Sequence, residues 1–194
     1  MIGLDIFKRR ILEDLLPEYC NDPTRRWGTT GFQPDWSRVA EPDAADFLKA
    51  LDGGLLQHVG RGQYVAPRSA AKETFFWEGP KSIKPRPTYL WIEPVITAAG
   101  IARLHFEYGW PIDAIGAQSA DWAFDIVAFK SSTSDSEHIV CEVKKSEREI
   151  EQLVSFMQDV AAHGVADEVG LVGAQKNAFR KRHRFIQFIA RDQA

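Results

Sequence analysis

Two carboxylates and a lysine interrupt an otherwise apolar pair of segments. Residues 124–129 read FDIVAF, residues 138–144 read HIVCEVK, and the polar loop SSTSDS lies between them. Side chains of a strand alternate between its faces, so Glu142 and Lys144 share one face and lie about 7 Å apart along it. If the two segments pair as a hairpin, Asp125 and Glu142 can converge at one end of the sheet. The sequence does not fix the register, because the loop can include a bulge.

These three side chains have the chemistry of phosphodiester hydrolysis. Carboxylate oxygens suit Mg²⁺, which takes one or two carboxylates and keeps several waters. The ion polarises a phosphate and lowers the pKa of a bound water, while a lysine can orient or deprotonate that water and stabilise developing charge. Glu-x-Lys arises by chance about once in a chain of this size, but here it follows an Asp-bearing strand. The alternative is an edge strand with one solvent-exposed face, on which Lys144 forms an ion pair with Glu142 and has no catalytic role.

Other chemistries fit the sequence poorly. The five histidines have no zinc-site spacing, and no glycine-rich loop joins a strand to a helix as a phosphate-binding loop requires. No serine or cysteine has the context of a nucleophile elbow. The two cysteines suggest no disulfide framework. The tryptophans, such as Trp77, Trp91 and Trp110, are expected in the core or at a domain joint rather than as base-stacking platforms.

The elements that would position the three residues follow from apolar spacing and capping signals. Pro94 suits the first turn of a helix, and Ser146 with Glu149 three residues later forms a capping box. In chain order we expect a helix, three strands, a helix, a strand and a closing helix, at residues 92–108, 111–118, 124–129, 138–144, 146–164, 168–174 and 177–192.

A smaller N-terminal module is predicted before residues 79–90, where prolines and a glycine interrupt any periodicity. Residues 41–54 predict a helix with Pro42 in its first turn, and Gly60-Arg61-Gly62 predicts the turn of a hairpin. A helix followed by a basic-tipped hairpin is typical of a winged-helix module, in which Arg61 would contact DNA. A plain structural hairpin is the alternative. The expected domains are this α+β module and an α/β domain, at residues 1–85 and 91–194.

The order helix, Asp-bearing strand, Glu-x-Lys strand, helix and strand resembles the PD-(D/E)XK nuclease superfamily. IEPVITAAGIARLHFEYGWP, FDIVAF and HIVCEVK are especially similar to the nuclease domain of type I restriction motor subunits. The resemblance covers residues 91–175 and implies a restriction-endonuclease-like αβββαβ core, in which helices flank a mixed sheet. It implies that Asp125, Glu142 and Glu93 hold Mg²⁺ or Mn²⁺ and that Lys144 positions the attacking water. For Glu93 the alternative is an acid that the helix macrodipole favours.

The chain also departs from the family pattern. Phe124 precedes the aspartate where the family has a proline. Asp121 is either an extra ligand or a loop acid. Gln152 matches only loosely a glutamine that some relatives carry on the helix after the lysine. Lys145 points away from Lys144 by strand alternation, so it receives no catalytic role.

A basic segment near the end contrasts with a formal net charge of −3. It predicts either a solvated helix face or a phosphate-contacting patch. Its basic residues are Lys176, Arg180, Lys181, Arg182 and Arg184.

The function expected from these features is metal-dependent cleavage of DNA, and a catalytically inactive DNA- or protein-binding module of the same fold is the alternative. The expected partner is DNA, and a homodimer is left open. No segment reaches the roughly 18 apolar residues of a membrane span, so no membrane partner is expected. The expected location is cytoplasmic.

Overall fold

The computed structural model describes residues 2–25, 27–120 and 124–163. Within these ranges the protein is a mixed α/β chain with helices and three small antiparallel sheets, so the predicted class is confirmed. The predicted strand at 168–174 and helix at 177–192 lie outside the described residues. The candidate site residues that also lie outside them are Asp121, Lys176, Arg180, Lys181, Arg182 and Arg184.

The N-terminal helix is α-helical at both ends and π-helical between them. Helix α1 spans Ile2–Arg9, the π-helical stretch spans Arg10–Leu15, and α2 spans Leu16–Asn21. Helix α3 spans Glu41–Asp52, and Pro42 lies in its first turn as predicted.

A three-stranded antiparallel sheet follows α3. Its strands are β1 Gln57–His58, β2 Gln63–Val65 and β3 Glu73–Thr74. The hairpin predicted around Arg61 is confirmed, and residues 60–62 all have positive φ. A Cβ at Gly62 would lie 2.5 Å from the Tyr19 ring, so this position of the turn requires glycine. Arg61 is exposed at the tip of the turn.

The second sheet is a hairpin that the sequence did not predict. Strand β4, Phe76–Glu78, pairs antiparallel with β5, Thr88–Leu90. The predicted break at 79–90 is therefore three residues too long, and its prolines lie in the loop between the strands. Proline lacks the N–H that a ladder needs, so the strand resumes only after the last of them.

The third sheet carries the candidate site and lies between two helices in the chain. The two predicted helices that flank this sheet in the chain are confirmed, and Ser146 Oγ accepts a hydrogen bond from the backbone N–H of Glu149 at 3.3 Å. The sheet order is β6-β7-β8, with antiparallel pairs. In chain order the elements are α4 Ile92–Phe106, β6 Ile115–Ala117, β7 Ile126–Phe129, β8 Glu137–Cys141 and α5 Glu147–His163.

A large apolar core joins helices α1 to α3, the helix over residues 92–106 and strands of all three sheets, and a smaller apolar cluster contains Ala114, Val127 and Phe129. The buried residues of the large core run from Phe7 on α1 to Val143 after β8, and α3 packs against α4. Residues 68–70 also bond to β6, since the Arg68 N–H donates to the Ile115 carbonyl oxygen at 3.0 Å. The core therefore crosses the predicted boundary between residues 85 and 91. The winged-helix assignment of the first module stays a prediction.

Two of the three named tryptophans differ from the expectation that they would be core or domain-joint residues, while Trp110 packs against the core. Trp110 is half-buried and donates through Nε1 to the Phe129 carbonyl oxygen at 2.9 Å. Trp77 and Trp91 are exposed instead. Strand β4 and the residues after β5 each cover the core with one face only, so the side chains of the other face meet solvent.

Candidate functional site

The pairing of β7 with β8 sets Asp125 beside Glu142. The strands are antiparallel, and Ile126 lies opposite Cys141. Asp125 directly precedes β7 and Glu142 directly follows β8. The two acidic residues therefore occupy neighbouring positions at one end of the sheet.

Asp125 closes this end of the sheet with its side chain. Its Oδ2 accepts from the backbone N–H of Val143 at 2.7 Å, while its own N–H donates to the Cys141 carbonyl oxygen at 3.0 Å. The sequence predicted a strand through Lys144, but β8 ends at Cys141. The reason is that a carboxylate, rather than a carbonyl of the neighbouring strand, takes the Val143 N–H. Asp125 thereby fixes the Glu142-Val143-Lys144 segment.

Glu142 and Lys144 form a close ion pair beside this anchor. Lys144 Nζ lies 2.5 Å from Glu142 Oε1, and the two side chains are 26% and 10% exposed. A charge-assisted bond between partly buried groups holds the lysine in one place. This pair is the contact that the non-catalytic interpretation of the sequence expected, and it is also compatible with a positioned catalytic lysine.

Glu93 lies in the first turn of α4 and has its own partners. Its Oε2 accepts from Trp91 Nε1 at 3.2 Å, and its Oε1 lies 3.8 Å from Lys145 Nζ. Lys145 Nζ also lies 3.6 Å from Glu149 Oε1 on α5. Lys145 thus joins the starts of the two helices.

Glu93, Lys145 and Glu149 line an open cleft of about 430 Å³ together with Lys144, whereas Asp125 and Glu142 are not among its lining residues. The prediction that Lys145 points away from Lys144 is wrong, because the strand has ended before them and alternation no longer applies. Gln152, which matched the family pattern only loosely, also faces the cleft. The lining residues are Glu93, Lys144, Lys145, Glu149, Gln152 and Leu153.

A buried carboxyl that the sequence did not single out lies near Asp125. Glu73 on β3 is 8% exposed, and its Oε1 accepts from Gln118 Nε2 at 3.3 Å. The same Gln118 nitrogen lies 3.4 Å from Asp125 Oδ1. Gln118 has φ of +60°, a left-handed conformation that is uncommon outside glycine. A strained backbone therefore holds one amide between two carboxyls.

The negative charge of Asp125 acts on two neighbouring groups, the buried Glu73 and the half-buried Cys141. Burial raises the pKa of Glu73, the Gln118 hydrogen bond opposes this, and the negative charge of Asp125 raises the pKa further. Burial also raises the pKa of the Cys141 thiol, and the charge of Asp125 adds to it. Asp125 therefore places a negative charge close to two groups whose charged forms burial already disfavours.

The described residues do not assemble a complete metal cage. In residues 2–25, 27–120 and 124–163, no three His, Cys, Asp or Glu side chains are grouped so that they could hold an ion. Asp125 and Glu142 are neighbours in register, whereas Glu93 is engaged by Trp91 and Lys145. The expected ligand set of Asp125, Glu142 and Glu93 thus stays a prediction.

The comparisons with known proteins add no assignment. Protein-family models, curated proteins and solved structures all give no significant match to the chain. Among the helices that the structure describes, none is both long and apolar enough to span a bilayer.

Proposed function

We propose that the chain is a metal-dependent nuclease that hydrolyses phosphodiester bonds of DNA, built on a restriction-endonuclease-like core. The observation that carries the proposal is the hydrogen bond that joins Asp125 to the Glu142-Val143-Lys144 segment. The Val143 N–H donates to Asp125 Oδ2 at 2.7 Å. The order α4, β6, β7, β8, α5 supports the αβββαβ core. Its fourth strand would be the predicted one at 168–174.

Asp125 and Glu142 would hold the Mg²⁺ or Mn²⁺ ion. Two carboxylates with several waters are an ordinary Mg²⁺ ligand set, so a third protein ligand is not needed. Burial is the main cause of the raised pKa of Glu73 and Cys141, and the negative charge of Asp125, which adds to it, favours a cation here. A bound ion supplies polarisation of the phosphate and acidification of a coordinated water.

The lysines would act on the phosphate side of the reaction. Lys144, held by Glu142 at 2.5 Å, would orient the attacking water and stabilise negative charge on the phosphoryl oxygens. Lys145 lines the same cleft and would add a second positive charge for the phosphate. The contacts of Glu93 suit it to positioning Lys145, and its role as a further metal ligand is the alternative.

A DNA- or protein-binding module without cleavage activity is the second candidate. Two observations favour it. Lys144 is already paired with Glu142, and the described residues contain no group of three metal-binding side chains. In such a module Arg61, together with the basic residues of segment 176–184, would contact the DNA backbone.

Plasmid cleavage with Mg²⁺ or Mn²⁺ tests the proposal. We expect Lys144→Ala to lower the cleavage rate by at least about 100-fold, the contribution of a positioned acid–base group. Lys130→Ala is the matched control, since Lys130 is an exposed lysine directly after β7. Equal cleavage by the wild-type and Lys144→Ala proteins would contradict the assignment.

Calorimetry with Mn²⁺ separates the two candidate functions. A nuclease should bind the ion, and Glu142→Gln should abolish the binding without disturbing the Asp125 anchor. A binding module should release no heat with Mn²⁺ and yet bind DNA with an affinity that falls steeply with salt.

A further inference from the structure

The outer face of the β4–β5 hairpin presents aromatic rings to solvent. Trp77 lies opposite Tyr89, with ring centroids 4.3 Å apart and planes inclined by 21°. Trp77 is 47% exposed, whereas Phe76 and Leu90 on the other face are buried. A two-stranded hairpin with one buried face normally has a polar outer face, so this stacked pair calls for a functional explanation.

Trp91 continues the same face toward the candidate site. It follows β5 in extended conformation, with φ −93° and ψ 109°, so it lies on the side of Tyr89 about 7 Å further along. Trp91 is 42% exposed, and its Nε1 donates to Glu93 Oε2 at 3.2 Å. Since Glu93 lines the cleft with Lys144, the aromatic row ends at the edge of that cleft.

Positive charge lies at the opposite end of the hairpin. The β4–β5 loop carries Lys81, Lys84 and Arg86, and the two lysines are exposed. These three residues help to line a second cleft of about 480 Å³, together with Arg25 and Trp27. Glu78 partly neutralises the charges of two of these cations, because it contacts Arg25 Nε at 2.7 Å and an Arg86 terminal nitrogen at 2.8 Å. The two lysines remain as charges on the loop.

We propose that the β4–β5 hairpin binds single-stranded DNA and leads it toward the Glu93–Lys144 cleft. Proteins that bind single strands combine cations for the backbone with aromatic rings on which successive bases stack. Lys81 and Lys84 lie in the loop at one end of the hairpin, and Trp77 with Tyr89 and then Trp91 follow along its outer face toward α4. Bases of a duplex are stacked on one another and cannot use such a row. The direction toward the cleft rests on the proposed nuclease function, whereas binding by the hairpin does not.

Fluorescence anisotropy of a labelled oligothymidylate in EDTA measures binding without cleavage. We expect Trp77→Ala and Trp91→Ala each to weaken binding roughly 5-fold to 150-fold, the range for loss of one stacked base. Trp77→Phe should restore most of the affinity, because it keeps an aromatic face. Tyr108→Ala is the matched control and should bind as the wild type does, since Tyr108 is a 72% exposed aromatic just after α4. Loss of Lys81 and Lys84 should reduce the salt dependence.

The outcomes distinguish the two proposals. Wild-type affinity of Trp77→Ala and Trp91→Ala, an equal loss with Tyr108→Ala, or no binding by the wild type would each overturn the single-strand proposal. The same losses on a duplex of equal length would overturn it too, and would identify a general DNA surface. If cleavage depends on Lys144 while the tryptophan variants bind normally, only the inference about the hairpin fails.

Discussion

Replacing Asp125 tests whether its carboxylate holds the end of the candidate sheet. Val143 is 8% exposed, so its N–H has little access to water when the 2.7 Å bond to Asp125 Oδ2 is lost. A hydrogen bond to a charged group contributes about 1.5–3 kcal/mol, and a buried donor without a partner costs a similar amount. We therefore expect Asp125→Ala to lower the free energy of unfolding by about 1.5–3 kcal/mol. Asp125→Asn keeps an acceptor without charge and should lose about half of that.

Urea denaturation at pH 7, followed by tryptophan fluorescence, measures these losses. The midpoint should fall in the order wild type, Asn variant, Ala variant, with an unchanged slope. Asp135→Ala is the matched control in the same hairpin, and an exposed aspartate should change stability by less than about 0.5 kcal/mol. If Asp125→Ala unfolds at the wild-type urea concentration, the bond to Val143 does not close the sheet and our account of why β8 ends at Cys141 is wrong. If Asp125→Ala does lose stability, an absence of cleavage by this variant can come either from the lost metal ligand or from the disturbed fold. Lys144→Ala is therefore the better test of the proposed catalytic site.

Two further predictions concern Glu73 and Gly62 in the first sheet. Because burial raises the pKa of Glu73, the folded protein binds a proton more tightly there than the unfolded chain, so stability is lost as pH rises from about 4.3 through the folded pKa. Glu73→Gln should flatten this fall in urea titrations between pH 4 and pH 7, and an unchanged slope would show that Glu73 is not its source. Gly62→Ala should cost about 1–3 kcal/mol beyond Gly54→Ala, since both have positive φ but only Gly62 meets the Tyr19 ring. Equal thermal midpoints for these two variants would contradict the predicted clash.

The sequence predicted best the features that depend on nearby residues. Pro42 and Ser146 mark helix starts because each acts within one turn of its own position. The β7–β8 hairpin followed from two apolar segments and a polar loop. These signals depend only on residues close in sequence, and the structure contains the predicted helix starts and hairpin.

Features that depend on distant residues were missed or misjudged. Strand alternation predicted that β8 extends to Lys144 and that Lys145 points away from Lys144, but the carboxylate of Asp125, 18 residues from Val143, ends the strand. Nothing in the sequence around Glu73 indicates that it lies near Asp125, because their link runs through Gln118, 45 residues further along. The exposure of Trp77 likewise depends on which face of an unpredicted hairpin covers the core.

The candidate site depends on both predicted modules, which bears on how its function is organised. Glu73 belongs to the first module and reaches Asp125 through Gln118. A Cβ at Gly116 on β6 would lie 2.2 Å from the Arg68 carbonyl oxygen, so residues of the first module pack directly on the sheet that carries Asp125. The aromatic row on β4 and β5 starts in the first module and ends at Glu93 in the second. Under the proposed function, these contacts would hold the strand-binding hairpin and the cleft in one packed unit.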